Sequence, residues 1–547
     1  MRLIALFCAL VAASETAAQQ LPRLETAHGA VQLLVDGKPL LLRAGELENS
    51  SASGDRYMSA VWPKLAGMHF NAVLAPVSWE LIEPTEGRFD FRSVDTLIAN
   101  ARRRDMRLVL LWFGSWKNSM SSYAPAWIKR DADRFPRARQ SDGKSLEILS
   151  ALSRANLDAD SRAFAALMRH LQTVDGDRHT VVMVQVENEV GMIPEARDHS
   201  VAANRAFGAP VPADLTDYLT KHRDSLAPDL AAAWEQHGSK AGASWTDTFG
   251  ASVWTDELFT AWTEGQFTGR VAEQGKAEYA LPMFVNAALV RPGRQPGQYP
   301  SGGPLPHLFD VWKAAAPAVD FLAPDLYFPN FVEWARRYAR AGEAYFIPET
   351  GRASAADMAA NALYAFGSLN AIGFSPYAPD VLSADESKVI AQAYDVVDQL
   401  TPLILANQGT TKMVGIKTPR AFDGTEDLAP QRFTFGQYTF DVRFKQPPPI
   451  STGAREETEI PGAHGGLIIQ LGPDAFIVAG TGMLMTFVSN DRASPVAGIE
   501  TVEEGRFENG VWIRGRVLNG DDTNQGRELR QPAGQFTIRR IRLYRYH

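Results

Sequence analysis

The chain has 547 residues, of which 45% are hydrophobic, 22% charged and 10% aromatic, a composition that excludes a disordered chain, a collagen-like repeat and a disulfide-built miniprotein. Its 55 Lys and Arg against 63 Asp and Glu give a formal charge of −8, and with no long basic run it lacks the electrostatic footprint of a nucleic-acid binder. At roughly 150 residues per domain, the length predicts two to four domains, or one large barrel with an accessory.

Residues 1–18 read as a secretory signal: Arg2 supplies a positive start, Leu3 to Ala13 an apolar run, and Thr16-Ala17-Ala18 a small-residue cleavage site. This predicts a secreted or periplasmic protein beginning at Gln19. No later segment reaches the roughly 18 apolar residues of a membrane span, so no membrane anchor is expected. The single cysteine, Cys8, lies inside the signal. The mature chain is therefore expected to have no disulfide, no cysteine-ligated metal and no thiol nucleophile.

Residues 30 to 44 predict a hairpin around Asp36-Gly37. Apolar strand candidates then recur at Leu40 to Gly45, Ala72 to Val77, Leu108 to Phe113, Val181 to Val186, Pro282 to Ala287, Phe321 to Leu326, Ala344 to Ile347 and Ala371 to Ser375. Most are continuous apolar runs, the pattern of parallel strands buried on both faces. Helical stripes lie between them: Val94, Leu97, Ile98 and Ala101 behind a Ser93 cap; Phe164, Leu167, Met168 and Leu171; and Ile390, Ala393, Tyr394 and Val397. Eight strands alternating with helices predict a (β/α)8 barrel over residues 19–401, enlarged by an insertion between Gly191 and about Leu281. An open doubly wound sheet is the alternative. From residue 402 to 547 the helical stripes vanish and strands such as Phe433 to Phe444, Gly466 to Leu471, Phe476 to Ala479 and Phe536 to Tyr544 predict an all-β accessory domain, with Pro447 to Pro449 marking a loop.

Active sites of such barrels lie at the C-terminal strand ends. The fourth candidate strand ends in Glu187-Asn188-Glu189-Val190-Gly191 and the seventh in Pro348-Glu349-Thr350-Gly351. Two carboxyl groups from nearly opposite strands are what glycoside hydrolysis requires, one to protonate the leaving oxygen and one to attack or to activate water. The competing reading, a rim salt bridge for each Glu, suits one isolated carboxylate better than a pair. Tyr327, beside Asp325, is placed to donate to Glu349 and hold it ionised. Trp116, Trp254 and Phe328 are candidates to stack on a sugar face, or else core residues. Asn118 and Asn286 are candidates to fork onto hydroxyls, or else satisfy loop backbone. Glu46 is either a binding group or a structural pair, and Glu83 reads as structural. No metal motif, serine-hydrolase elbow or dinucleotide loop occurs, so no metal or cofactor is expected.

Glu189 and Glu349 at these strand ends resemble the clan of retaining glycosidases built on this barrel. Within it, Trp79-Glu80-Leu81-Ile82-Glu83-Pro84, Glu86-Gly87-Arg88-Phe89-Asp90-Phe91 and Glu187-Asn188-Glu189 resemble family 35 β-galactosidases, over about residues 30 to 400. The β-rich tail resembles the C-terminal domain of one bacterial branch. The resemblance implies Glu189 as acid/base, Glu349 as nucleophile and Asn188 as the amide on the sugar 2-hydroxyl. It also implies an oligosaccharide substrate, terminal β-galactose on a plant-type glycan such as a xyloglucan side chain. The chain departs from the family pattern at Val190, where Tyr is usual, at Gly45 to Glu48 and in the third-strand motif. A β-glucosidase or α-L-arabinopyranosidase of the same clan, and a non-catalytic carbohydrate-binding barrel, are the alternatives.

Overall fold

A computed structural model describes residues 20–447 and 456–547. The signal segment and Pro448-Pro449 fall outside the described residues. Strands Leu42–Glu46, Ala72–Ser78, Arg107–Lys117, Val181–Asn188, Met283–Ala288, Phe321–Leu326, Phe346–Arg352 and Gly373–Tyr377 form a closed barrel in chain order. Neighbours pair in parallel, and the eighth strand returns to the first with Gly373 opposite Leu42. The chain is thus a (β/α)8 barrel followed by a β-rich region.

Inward side chains fill the barrel. Leu42, Leu74, Val109, Leu111, Phe284, Phe321 and Phe346 form one buried cluster, with Phe284 stacked on Phe321 at 5.2 Å between ring centres. Each such residue contributes about 1.5–3 kcal/mol of transfer free energy. Val31, Leu33 and Val35 join the same cluster from a three-stranded antiparallel sheet, Arg23–Ala27, Ala30–Val35 and Lys38–Leu40. Its turn residue Asp36 meets His179, just ahead of the fourth strand, at 2.6 Å. The hairpin therefore plugs the end where the barrel strands begin and leaves the opposite end open for chemistry.

The helix expected behind Ser93 begins at Arg92, where Asp90 Oδ1 accepts the Arg92 N–H at 3.1 Å. The insertion after the fourth strand holds short helices, Val201–Gly208, Ala213–Lys221, Pro228–Gln236 and Trp245–Phe249. The 26-residue helix Val253–Glu278 then returns along Arg154–Asp175 as an ordinary barrel helix, so the insertion ends ahead of it. Among the described residues no helix is long and apolar enough to cross a membrane.

Helix Lys388–Asn407 runs through residue 402, and the first strand of the β-rich region is Met413–Lys417. Six antiparallel strands in one sheet face four in another across a core that includes Ile416, Phe440, Phe476, Val478, Met485 and Ile541. Phe433 to Phe444 is a hairpin, Gln431–Phe435 paired with Tyr438–Arg443 around Gly436 at φ +55°, instead of one strand. This region docks on barrel helix Met358–Ser368. Ser368 Oγ donates to Gly415 O at 2.7 Å and accepts from Gly415 N at 3.0 Å. Beside it Lys417 and Arg420 both pair with Asp357 at the start of that helix, and Arg420 also reaches Glu426 at 2.6 Å.

A Cβ added at Gly415 would lie 2.7–2.9 Å from backbone atoms of Leu363 and Tyr364. Gly415→Ala should therefore lower stability by about 1–3 kcal/mol through overpacking of the docking face. The check is the thermal midpoint; one equal to the parent's would contradict this packing.

Candidate active site

Glu189 follows strand Val181–Asn188, and Glu349 lies within Phe346–Arg352. Both face the open end of the barrel with Asp325 of strand Phe321–Leu326, and one carboxylate oxygen from each of the three lies within 4.8 Å of the others. The strand register explains the meeting of the last two, since Asp325 pairs directly opposite Glu349. Asn286, 0% exposed on the fifth strand, accepts the Glu189 N–H at 2.9 Å and donates to Asp325 at 2.6 Å, fixing the turn that carries Glu189. Glu187 and Glu189 have φ of +61° and +45°. Such left-handed backbone costs of order 1 kcal/mol for a non-glycine residue and is held by surrounding contacts.

Glu46 and Lys117 complete the cluster. Burial, then the Glu349 charge, pushes Glu46 well above the carboxylate range. Burial and the same charge raise Asp325 likewise. For Glu189 burial and Glu349 outweigh the opposing Lys117, moving its pKa up to about 7. Burial alone would lower Lys117, but the surrounding carboxyl groups, Glu349 first, raise it, so it remains an ammonium ion. Its Nζ donates to Asn188 Oδ1 at 2.9 Å. That contact orients Asn188 and leaves its buried Nδ2 without a partner. Tyr327 Oη donates to Glu349 Oε1, while the buried Glu349 Oε2 has no donor. The cluster thus offers a ligand one unpartnered carboxylate oxygen and one unpartnered amide N–H.

Below it lies a second carboxyl pair. Asp160 accepts from Trp112 Nε1 at 2.9 Å and from Ser115 N and Oγ at 2.8 and 2.5 Å. Burial and the Asp160 charge push Glu187 well above the carboxylate range, so Glu187 holds a proton toward Asp160. Its Oε2 accepts from Trp116 N at 2.7 Å. The pair ties the third strand to the fourth directly beneath Asn188 and Glu189.

Other expected contacts lie elsewhere. Trp116 is fully buried, its indole donating to Leu149 O at 3.3 Å and its ring 4.5 Å from Phe267. It is a core residue with no face for a sugar. Asn118 is exposed at a tight turn with Ser119, both at positive φ, between Lys117 and Met120. The turn alone accounts for an Asn there. Asn286 positions Glu189 and Asp325, using its carbonyl and one amide hydrogen on the protein. Trp254 is half-exposed at the start of helix Val253–Glu278, edge-on to His307, and does not line the cavity beside Glu189. Glu83 accepts from Trp79 Nε1 and Gly87 N, a structural role. Lys117 and the Asp160–Glu187 pair were not singled out from sequence; the signal available was a Lys ending an otherwise apolar strand.

Among the described residues two triads have ligand types and spacing that could hold a metal ion: Glu189, Asp325 and Glu349, and Glu426, Glu459 and His464. In the first Lys117 supplies the counter-charge; in the second Arg420 and His464 already occupy Glu426.

The fold and site together define an eight-stranded barrel with convergent carboxyl groups at its open mouth. Residues 60–257 match a family model described as beta-galactosidase, that of glycoside hydrolase family 42. This stretch includes Glu189 but ends before Glu349, and the family 35-like motifs at residues 79–91 and 187–189 lie within it. Residues 390–530 match a model described as a domain of unknown function, DUF5597. The chain is 30% identical over 188 residues to a beta-galactosidase of Xanthomonas manihotis, covering 32% of this chain and 28% of that protein. The match therefore spans less than a third of that relative. Solved structures similar to this chain include beta-galactosidases from the psychrophilic Marinomonas ef1 (12% identity, TM-score 0.45, 66% of this chain and 60% of that one) and from Rahnella sp. R3 (14%, 0.45, 67% and 57%).

Removing the lower pair separates its role from that of the upper cluster. Glu187→Gln should keep a donor toward Asp160 and change stability by less than about 1.5 kcal/mol, whereas Glu187→Ala should cost about 3 kcal/mol or more by stranding a buried carboxylate. Equal melting temperatures for the parent and Glu187→Ala proteins would rule the pair out as a brace.

Proposed function

We propose that the chain is an exo-acting retaining β-galactosidase that acts outside the cytoplasm, removing terminal β-galactose from plant-type oligosaccharides. Xyloglucan side chains are the neutral example of that class. The observation carrying the reading is the approach of the Glu189 and Glu349 carboxyl groups to within 4.8 Å, from opposite sides of the mouth and in unlike environments. Retaining enzymes hold their carboxyl groups about 5–5.5 Å apart, and inverting ones about 6.5–9.5 Å apart to admit water.

In the first step Glu349 attacks the anomeric carbon while Glu189 gives its proton to the glycosidic oxygen, so the leaving alcohol departs neutral and a galactosyl ester forms on Glu349. In the second step Glu189, now ionised, takes a proton from water, whose oxygen attacks the same carbon and frees Glu349. Tyr327 donates to Glu349 and orients it for attack, and Asn188 Nδ2 supports the reading as a donor to the 2-hydroxyl. The family 42 model match over residues 60–257 supports the same activity.

The acid form of Glu189 is needed for the first step. With its pKa raised to about 7, that form is present below this pH and lost above it. The kcat/KM profile should therefore fall on its alkaline side with a midpoint near 7, and in Glu189→Gln that limb should vanish. An unchanged limb would contradict the assignment. Glu349→Ala should abolish turnover on every substrate. Glu189→Ala should lose about 10²–10⁴-fold on poor leaving groups, yet retain substrates whose leaving group needs no proton, with azide restoring turnover. Galactose release from galactosylated xyloglucan oligosaccharides should exceed glucose release from cellobiose; the reverse order would overturn the sugar assignment.

A further inference from the structure

Beside Glu189 opens a cavity of about 490 Å3 whose lining includes Asp325, Tyr327, Phe328, Arg291 and Arg294. Glu349 does not line it. A chamber that touches the proton donor and not the nucleophile lies on the leaving-group side of the bond to be broken. Arg291 and Arg294 belong to the loop after the fifth strand, Met283–Ala288. Arg294 N donates to Arg291 O at 3.3 Å, and Gly293 has φ +75°. Pro292 and Gly293 are the residues that a type II turn prefers at its two central positions. That turn brings both arginines to one edge of the chamber. Both are exposed, and among the described residues neither has a carboxylate within 4.0 Å.

Two unpaired guanidinium groups thus stand together at the rim of the chamber, in a chain whose formal charge is −8. They give the leaving-group side of the mouth a local positive rim, the sign that draws an acidic leaving group. The planar guanidinium fork suits a carboxylate in two parallel hydrogen bonds, and Phe328 and Tyr327 offer apolar faces beside it. We infer that the Arg291-Pro292-Gly293-Arg294 turn is a binding site for the carboxylate of a uronic acid in the leaving group, so that the substrates are acidic galactosylated glycans. The inference rests on the galactosidase reading and narrows it: neutral xyloglucan becomes the poorer substrate.

The test compares β-galactosyl-glucuronate with β-galactosyl-glucose on the full-length protein, with the 6-sulfate of the latter as a third substrate. At low salt kcat/KM for the glucuronate should exceed that for the neutral disaccharide by about tenfold, and the ratio should fall toward one at high salt, as a rim charge contact requires. In Arg291→Gln/Arg294→Gln the ratio should be about one at any salt. A ratio of one or less in the parent protein, or one untouched by the double substitution, overturns the inference. An equal gain for the sulfate overturns its assignment to carboxylate. If neither disaccharide is cleaved, the galactosidase reading falls, and calorimetric titration with glucuronate then decides the inference alone. Binding lost in the double variant upholds it, and absent or unaltered binding overturns it.

Discussion

Glu46, Glu189, Asp325 and Glu349 converge around the single Lys117 ammonium at the open end of the barrel, in surroundings too dry to hold four negative charges. The cluster settles this by keeping protons on the carboxyl groups that burial and mutual repulsion push upward, Glu46, Asp325 and Glu189. The asymmetry between Glu189, poised near neutrality, and Glu349, held by Tyr327, follows from position within the same fold. Environments that drive two neighbouring carboxyl groups apart are how one site performs acid and nucleophile chemistry together.

The remainder of the molecule holds this cluster in place. Aromatic and aliphatic residues fill the barrel from below and the N-terminal hairpin seals its other end, so strand ends rather than flexible loops carry most of the charges. The Asp160–Glu187 pair braces the third and fourth strands beneath Asn188, while Asn286 ties the fourth to the sixth through Asp325. Strained backbone at Glu187 and Glu189 is tolerated because these contacts fix both sides of the turn. The β-rich region docks at Gly415 on an outer helix and sets Phe422 edge-on to Phe328, which lines the chamber beside Glu189.

Much of this was legible in sequence, for physical reasons. Eight apolar runs separated by helical stripes have one economical closure, and Glu189 and Glu349 end such runs where the core gives no reason for a charge. The hairpin at Phe433 to Phe444 was read as one strand because Gly436 interrupts an otherwise continuous alternation by a tight turn. Trp116 resembled a sugar platform because an aromatic residue at a strand end looks alike in either role; only burial under Phe267 distinguishes them. Asn286 and Asn118 were legible as polar residues near the mouth, but their duties depend on partners distant in sequence or on a positive φ. The Asp160–Glu187 pair was hidden because a helix residue and a strand residue 27 positions apart share a proton only after the third strand bends at Gly114, where a Cβ would strike both carboxyl groups.

The central claim is that Glu349 attacks the sugar directly and Glu189 serves first as acid and then as base. Its most direct measurement is the anomer released first, followed by proton NMR before mutarotation. Double displacement requires β-galactose to appear before the α form. Initial release of α-galactose would mean single displacement by water and would contradict the assignment of Glu349 as nucleophile.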